Sequence, residues 1–346
     1  MGILDKVLGR SAPAGSAGPV LWSTPAGETP IAVAFVAGGL LAVGREGGGV
    51  ELLDGKTGAL VRTIAAHQEG LCAMSADPSG ALLATGGMDA SARLFEAASG
   101  ERRAELKTGK EWVEHTAFAP TGAHVAVAHG KSVSILPTAG GTGLTLGPHK
   151  STVAALAWSP DGKRLGVGRF GGVDVWTTSG ERERELPWTS SIISLAWQPK
   201  DRYLAAGCQD DAVHFWRLDG GDDSMMGGYP MKPRAICWTQ DGALLATGGG
   251  EEIVVWSFKG RGPEGTTPVM LREHTKFVTT LVASPTDQRV ASGGRDGKVV
   301  VWRPARNDKP ALVHETSAPV ECIGWSNDNR LAAGASDGSV GVLALP

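Results

Sequence analysis

Short apolar runs alternate with turn-forming residues along nearly the whole chain. A clear example is the stretch from His274 to Trp302, which reads HTKFVTTLVASPTDQRVASGGRDGKVVVW. It contains three runs rich in β-branched residues, separated by Ser-Pro, by Gly-Gly and by an Asp-Gly turn. Runs of this kind, bounded by turn formers, predict β-strands. We therefore expect an all-β protein whose basic unit holds at least three strands.

The same unit recurs eight times. The copies can be aligned on the residue that ends the first strand, and these residues are Phe35, Ala76, Phe118, Trp158, Trp197, Trp238, Ala283 and Trp325. A fourth, more variable strand precedes the next unit, as in LVRTI at 60–64. A repeat of about 40 to 45 residues with four strands is typical of a β-propeller blade, which buries its faces against neighbouring blades. The repeat count predicts eight blades, with seven as the alternative.

The two ends of the chain predict how the ring closes. The eighth unit supplies only three strands before the sequence reaches Pro346, and the segment PVLWST at 19–24 has no other partner. Pairing of this segment with the last unit would complete the blade and leave no open sheet edge. We therefore predict one propeller domain over 19–346, preceded by a short helix and linker over 1–18.

Four polar or aromatic residues of the clearest unit carry a family resemblance: His274, Ser292, Asp296 and Trp302. They stand where the WD40 family has a hydrogen-bonded tetrad, and the chain resembles that family over roughly 19–346. The resemblance implies a structural role for these four residues. The second unit comes close, with His67, Thr85, Asp89 and Phe95. Units one, three and four are expected to be less rigidly tied, because the turn aspartate is replaced by Gly47, Lys131 and Gly171.

Charge and composition narrow the classes of partner. The net charge is −3 and the basic residues are scattered, whereas a nucleic-acid binder usually shows a basic stripe. No window approaches the roughly 20 apolar residues that cross a bilayer, and Asp5 and Lys6 interrupt the apolar stretch that a secretory signal needs. The four cysteines are far apart and read as buried free thiols of a reducing compartment. We predict a cytoplasmic, monomeric ring with neither nucleic acid nor membrane as its partner.

No residue set predicts catalysis. Motifs of Ser hydrolases, P-loop proteins and zinc peptidases are missing from the sequence. Three histidines, His67, His149 and His274, fall in the structural tetrad slot, and the other histidines lack zinc-like spacing. A weaker metal candidate is the methionine-rich loop that contains Met225, Met226, Tyr229 and Met231. We therefore predict no enzyme activity, no cofactor and no metal.

The remaining candidate is a surface. In a propeller, the loops before the first strand and between the second and third strands share one face. In proteins that resemble the WD40 family these two loop columns tend to contact partners. Here the columns include Trp112, Phe277, Phe170, Met88, Arg295, Gln209, Lys232 and Glu46. Aromatic residues, Met and Arg are enriched at interface centres. The alternative is that the aromatic rings fold back over the blades.

Three hypotheses on function follow. The favoured hypothesis is a non-enzymatic scaffold that docks a protein or peptide on this face. The second is a small-molecule or metal-handling protein, because HFWRLDGGDDSMMGGYPMKPRAICW and IVVWSFKGRGPEG are similar to a bacterial WD40 group associated with CobW-type GTPases. The third is a propeller hydrolase, which would need carboxylates that converge in the central channel.

Overall fold

The computed structural model describes residues 20–260 and 262–345, and in these residues the chain folds as a β-propeller. The predicted helix and linker over 1–18 lie outside the described residues. Every blade is an antiparallel meander whose four strands run from the central channel to the rim.

The first three blades follow one another directly along the chain. Blade 1 holds β2 (Pro30–Val36), β3 (Leu40–Arg45), β4 (Gly49–Asp54) and β5 (Leu60–Ala65), with a 3-10 turn at Ala37–Gly39. Blade 2 holds β6 (Leu71–Ala76), β7 (Leu82–Gly87), β8 (Ser91–Glu96) and β9 (Arg102–Lys107). Blade 3 holds β10 (Val113–Phe118), β11 (His124–His129), β12 (Ser132–Pro137) and β13 (Leu144–Leu146).

The middle of the chain forms a single continuous sheet. Its strands are β14 (Val153–Trp158), β15 (Arg164–Thr177), β16 (Arg182–Trp197), β17 (Tyr203–Cys208), β18 (Val213–Arg217) and β19 (Asp223–Met226).

The last three sheets are regular again, with four strands each. Blade 6 holds β20 (Ala235–Trp238), β21 (Leu244–Gly248), β22 (Ile253–Ser257) and β23 (Val269–Leu271). Blade 7 holds β24 (Val278–Ala283), β25 (Val290–Gly294), β26 (Lys298–Trp302) and β27 (Pro310–Glu315). Blade 8 holds β28 (Val320–Trp325), β29 (Arg330–Ala335), β30 (Val340–Ala344) and β1 (Val20–Ser23).

The continuous middle sheet contains two blades. Strand β15 folds back on itself at Gly171 and Gly172, which both have positive φ, and the Thr178 N–H donates to the Lys163 carbonyl 3.1 Å away at the base of this hairpin. The two arms of β15 are the second and third strands of blade 4. The first arm of β16 is the outer strand of blade 4, and its second arm is the inner strand of blade 5. Seven hydrogen-bonded sheets thus comprise eight four-stranded units.

The core lies between the blades, as the repeat pattern predicts. Each of the eight contacts between neighbouring units has its own buried apolar cluster, and the inner strands contact one another around a closed circle. Tryptophans at the ends of inner strands also link blades: the Trp158 Nε1–H donates to Ala117 O at 2.9 Å, and the Trp238 Nε1–H donates to Ala196 O at 3.0 Å. Ten of the 11 tryptophans are buried or half-buried.

The predicted ring closure is confirmed. Strand β1 pairs antiparallel with β30, so residues from both ends of the described chain complete blade 8. The Thr24 N–H donates to Val340 O at 2.8 Å, and the Thr24 Oγ1 accepts the Val340 N–H at 3.0 Å. Trp22 is buried against blade 1, where its Nε1–H donates to Gly55 O at 3.2 Å. The all-β propeller and its closing strand therefore agree with the sequence.

Candidate functional site

A chain of hydrogen bonds ties blade 7 together beneath its loops. The Trp302 Nε1–H donates to Ser292 Oγ at 2.9 Å, Ser292 Oγ lies 2.8 Å from His274 Nε2, and His274 Nδ1 lies 3.0 Å from Asp296 Oδ1. Because an ionised carboxylate only accepts, His274 donates through Nδ1. Burial lowers the pKa of His274, which favours this neutral tautomer. These side chains are buried or nearly so, and they serve the fold.

Blade 2 repeats most of this chain. His67 Nδ1 lies 2.8 Å from Asp89 Oδ1, and His67 Nε2 lies 2.9 Å from Thr85 Oγ1. Burial raises the pKa of Asp89, but hydrogen bonds from Ser91, His67 and Arg93 outweigh it and hold that pKa well below its usual range. The carboxylate of Asp89 therefore stays ionised at the end of the chain.

Blade 6 uses a tyrosine in the histidine position. The Tyr229 hydroxyl lies 2.7 Å from Thr247 Oγ1 and accepts the Trp256 Nε1–H at 3.0 Å. Tyr229 is buried, so its two hydrogen bonds link the loop before β20 to the second and third strands of the blade. The residue that the sequence offered as a metal candidate is thus part of a structural tie.

Blades 1 and 4 replace the missing turn aspartate with a buried arginine. In blade 4, Arg169 forms two hydrogen bonds with Asp174, at 2.7 and 2.8 Å, and His149 Nδ1 lies 2.9 Å from the same carboxylate. In blade 1, the Arg45 guanidinium contacts Glu51 Oε2 at 2.6 Å. The expectation that these blades are less rigidly tied missed this arrangement, because both carboxylates lie on the third strand and not in the turn.

Strand direction places the two predicted loop columns on one face of the ring, here called the upper face. In an antiparallel meander the connection into the first strand and the connection from the second to the third strand lie at the same end of the blade. In five blades the backbone N–H of the second-column residue donates to the carbonyl of the first-column residue. Examples are the Arg295 N–H to Phe277 O at 2.8 Å and the Met88 N–H to Gly70 O at 3.1 Å. The remaining three pairs of this set are Glu46 with Thr29, Gln209 with Ser191, and Ser336 with Pro319.

Neighbouring blades are linked at the same level. The Leu71 N–H donates to Glu46 O at 3.0 Å, and the Val278 N–H donates to Gly250 O at 2.9 Å, in each case from the first residue of an inner strand to the turn of the preceding blade. The backbone groups named for these two columns are therefore hydrogen-bonded within the fold. The side chains of the columns stand on a hydrogen-bonded frame and remain available.

The aromatic side chains of the upper face do not fold back over the blades. Trp112 is 52% exposed, Phe170 60% and Phe277 45%. The chain has 11 tryptophans, seven phenylalanines and two tyrosines, all within the described residues, and no other member of these three types is exposed. The fold thus buries or half-buries every aromatic ring except the three that the loop columns predicted.

The other predicted residues of this face differ in exposure. Glu46, Gln209 and Arg295 are exposed, and Met88 and Lys232 are half-buried. Lys232 keeps the predicted register, because Trp238 pairs with Leu245 as Ala283 of blade 7 pairs with Val290, so Lys232 corresponds to Phe277. The strand β20 begins only at Ala235, because Pro233 lacks an N–H and cannot donate to a sheet ladder. Arg234, two residues further along, is also exposed.

Comparison with known proteins places the chain in a family. The family model described as WD domain, G-beta repeat matches more than half of the chain, at residues 58–96, 141–173, 180–217, 265–303 and 311–342. The chain belongs to the WD40 family. WD40 propellers typically act as protein-interaction scaffolds and are generally not catalytic.

Several curated WD40 proteins are similar to part of this chain. Protein HIR1 of Cryptococcus neoformans is 25% identical over 57% of this chain and 26% of its own length. Meiotic fizzy-related protein 1 of Schizosaccharomyces pombe is 26% identical over 49% of this chain and 41% of its own length. Actin-interacting protein 1 of Caenorhabditis elegans is 23% identical over 55% of this chain and 32% of its own length. The chain therefore spans less than half the length of each of these relatives.

A solved structure shares the whole fold. The crystal structure of the computationally designed Ika8 protein matches with a TM-score of 0.83 at 22% identity, and the match covers 95% of this chain and 100% of that one. At this identity the likeness concerns the fold alone.

Blade 6 of this WD40 chain carries two adjoining depressions that the sequence did not reveal. An apolar cleft of about 540 Å³ opens beside the outer strands of the blade and is lined by Trp256, Met270, Met231 and Phe277, among others. A second depression of about 660 Å³ lies nearer the ring axis and is lined by charged residues that include Lys232, Arg234 and Arg295. No motif predicts either, because their walls come from loops and strands far apart in sequence.

The residues proposed for metal binding are not brought together. Met226 and Tyr229 are buried between blades 5 and 6, whereas Met225 and Met231 are exposed. In 20–260 and 262–345, no group of three or more His, Cys, Asp or Glu side chains is arranged to hold a metal ion.

The four cysteines are free, and burial raises the pKa of Cys208 and Cys322 to about 12. Within the same residues, no helix has the length and apolarity to cross a membrane.

Proposed function

We propose that this chain is a non-enzymatic scaffold that binds a protein or peptide partner on its upper face. The exposure of Trp112, Phe170 and Phe277 supports this most directly. A fold that buries or half-buries the other 17 aromatic rings leaves these three in solvent, and aromatic side chains dominate binding energy at interfaces. The Phe277 carbonyl accepts the Arg295 N–H at 2.8 Å, and the Phe170 N–H donates to Ser151 Oγ at 2.9 Å, so the segments that carry these two rings are hydrogen-bonded to the fold.

The hydrogen-bonded frame supports the proposal for a second reason. A surface that is already ordered loses little conformational entropy when a partner binds, so more of the contact energy contributes to affinity. The residues around the aromatic rings also suit a polar rim, since Glu46, Gln209 and Arg295 are exposed on the same face. We propose in addition that the ring acts as a monomer in the cytoplasm.

The test is partner capture by the tagged protein from a lysate of the cells that express it. The test variant carries Trp112→Ala, Phe170→Ala and Phe277→Ala. Each central aromatic contributes about 2 kcal/mol or more when it anchors an interface, which corresponds to about thirtyfold in affinity. We therefore expect the triple variant to lose any stoichiometric partner that the wild type captures.

A matched control removes apolar side chains that are equally exposed but lie on an outer strand. Leu60→Ala with Val61→Ala changes β5, away from the upper face, and should leave capture unchanged. Thermal unfolding of all variants checks that the ring is intact. Equal capture by the wild type and the triple variant would refute the proposal.

The alternative proposal is metal handling together with a CobW-type GTPase. Both segments that resemble the CobW-associated group reach the apolar cleft of blade 6, the first through Tyr229 and Met231 and the second through Trp256. Elemental analysis of the purified protein discriminates this alternative from a scaffold. Stoichiometric zinc or copper in the purified protein would favour it.

A further inference from the structure

The two depressions of blade 6 form one groove. Pro230, Met231, Gly249, Gly250 and Phe277 line both of them, so the surface runs without interruption from the mouth of the central channel to the rim. The inner end, near the axis, is here called the mouth, and the outer end is called the cleft. The two ends differ in chemistry.

The mouth carries cations that the fold does not use. Lys232, Arg234 and Arg295 line it, and none of the three side chains forms a hydrogen bond or an ion pair with any residue of 20–260 or 262–345. Most other arginines of the structure pair with a carboxylate, as Arg45 and Arg169 do. Three unpaired cations around one depression attract a carboxylate ligand.

The cleft is apolar and has a firm floor. Trp256 is fixed by its hydrogen bond to Tyr229, and Met270 and Val254 contribute further apolar wall from neighbouring strands. The outer strand β23 has only three residues, so the blade edge leaves this wall uncovered. A cavity of about 540 Å³ with such a lining lies in the size range of pockets that bind a large apolar group.

We propose that this groove binds an extended peptide segment of a partner protein, with an acidic side chain of the peptide at the mouth and a large apolar side chain in the cleft. This proposal rests on the proposed scaffold function and names the chemistry of its partner. A peptide spans both ends of the groove and can present the two groups a few residues apart. The Val278 N–H donates to Gly250 O at 2.9 Å and so links the blade 6 and blade 7 sides of the groove.

The carboxylates of the groove restrict the occupant further. Asp211 and Glu321 line the mouth, and Glu251 and Glu252 line the cleft. Glu252 pairs with Arg272 at 2.5 Å, which leaves Glu251 at the surface. These carboxylates oppose a long polyanion such as a nucleic acid, because its phosphates would continue past the three cations. A short acidic segment followed by an apolar side chain matches both ends.

The test is selection of random 12-residue peptides displayed on phage against the immobilised full-length protein. Enriched peptides are synthesised with a fluorescent label, and their affinities are measured by anisotropy. The mouth variant carries Lys232→Ala, Arg234→Ala and Arg295→Ala, and the cleft variant carries Met270→Glu, because Met270 lines the cleft and not the mouth. The control outside the groove carries Leu60→Ala and Val61→Ala, which are exposed on the outer strand β5 of blade 1. Thermal unfolding confirms that each variant is folded.

The expected result is enrichment of peptides that combine Asp or Glu with a large apolar residue. Both groove variants should weaken these peptides about tenfold or more, since each removes one of the two matched ends. The outside control should remain within about twofold of the wild type. The mouth variant should also remove most of the salt dependence of binding, because that dependence arises from the charge contacts.

Other outcomes separate the groove from the scaffold function. Peptides that bind both groove variants as tightly as the wild type would refute the groove and leave the scaffold function standing. Enrichment without acidic residues would likewise refute the groove. Failure to enrich any peptide, together with no effect of the triple aromatic variant on partner capture, would refute both proposals.

Discussion

The buried ion pair of blade 4 gives the sharpest test of how this ring is stabilised. The side chain of Arg169 is 1% exposed and that of Asp174 is 3% exposed. Arg169→Met keeps most of the apolar stem but leaves the Asp174 carboxylate with only His149 at 2.9 Å and the more distant Arg182 at 3.8 Å. Removing one partner of a buried pair destabilises a protein by about 3 to 5 kcal/mol, because an uncompensated charge stays buried.

The free-energy cost of the unpaired carboxylate can be separated from the cost of the lost side-chain volume. In the double variant Arg169→Met with Asp174→Asn no charge is stranded, and the amide can still hydrogen-bond to His149. We expect this variant to be less destabilised than Arg169→Met alone, by about 1 to 3 kcal/mol. The control is Arg103→Met, which breaks a solvent-exposed pair with Glu96 and should change the free energy of unfolding far less.

Urea unfolding followed by tryptophan fluorescence gives the free energy of unfolding of the wild type and the three variants. A second readout is the dependence on pH. Burial raises the pKa of Asp174, but Arg169 and His149 outweigh it and hold that pKa well below its usual value of 3.8. A carboxyl whose folded pKa is depressed contributes stability above the unfolded pKa and loses it as the pH falls through the folded pKa. The difference between wild type and Arg169→Met should therefore shrink below about pH 4. The reasoning fails if Arg169→Met costs no more than Arg103→Met, or if the double variant is the least stable protein.

Two further predictions concern the ties beneath the loops. Tyr229→Phe removes the acceptor of the Trp256 Nε1–H and the hydrogen bond with Thr247. It should therefore lower the free energy of unfolding by about 1 to 3 kcal/mol in urea titrations, and an unchanged urea midpoint would contradict this. Burial lowers the pKa of His67 and His274 from 6.5, so the unfolded chain takes up protons first as the pH falls. The melting temperature should therefore decrease between about pH 7.5 and 5.5, and a flat profile over this range would rule out the effect.

Periodicity predicted most of the fold because the pattern is local. Each strand is short and bounded by turn residues, and an aromatic residue such as Trp158 or Trp238 lies at or next to the end of the inner strand in six of the eight units. The closing strand was predicted from a simple deficit, since the last unit lacked a strand and the segment with Trp22 lacked a partner. The positions of Trp112, Phe170 and Phe277 in the loop columns were predicted for the same reason, because loop columns follow from strand order alone, but the sequence left open whether these rings are exposed.

Features that depend on contacts between strands could not be predicted in this way. Asp174 looks like an ordinary polar residue of a strand, and only the folded hairpin of β15 brings it to Arg169. The late start of β20 at Ala235 was also missed, because Pro233 lacks the N–H that would begin the ladder. The groove of blade 6 required the short outer strand β23 and the loop around Tyr229 to be placed together.

The structural ties and the proposed binding residues of blade 7 are neighbours in sequence, and this links stability to recognition. Asp296 accepts from His274 and also from the Thr275 N–H at 2.8 Å, so its carboxylate fixes the loop that carries Phe277. Arg295 precedes this aspartate in the turn, and its backbone N–H donates to Phe277 O. The tetrad therefore positions both the aromatic ring and the cation of the groove. Because a positioned surface loses less entropy on binding, a rigid blade 7 favours this side of the ring as the place where a peptide docks.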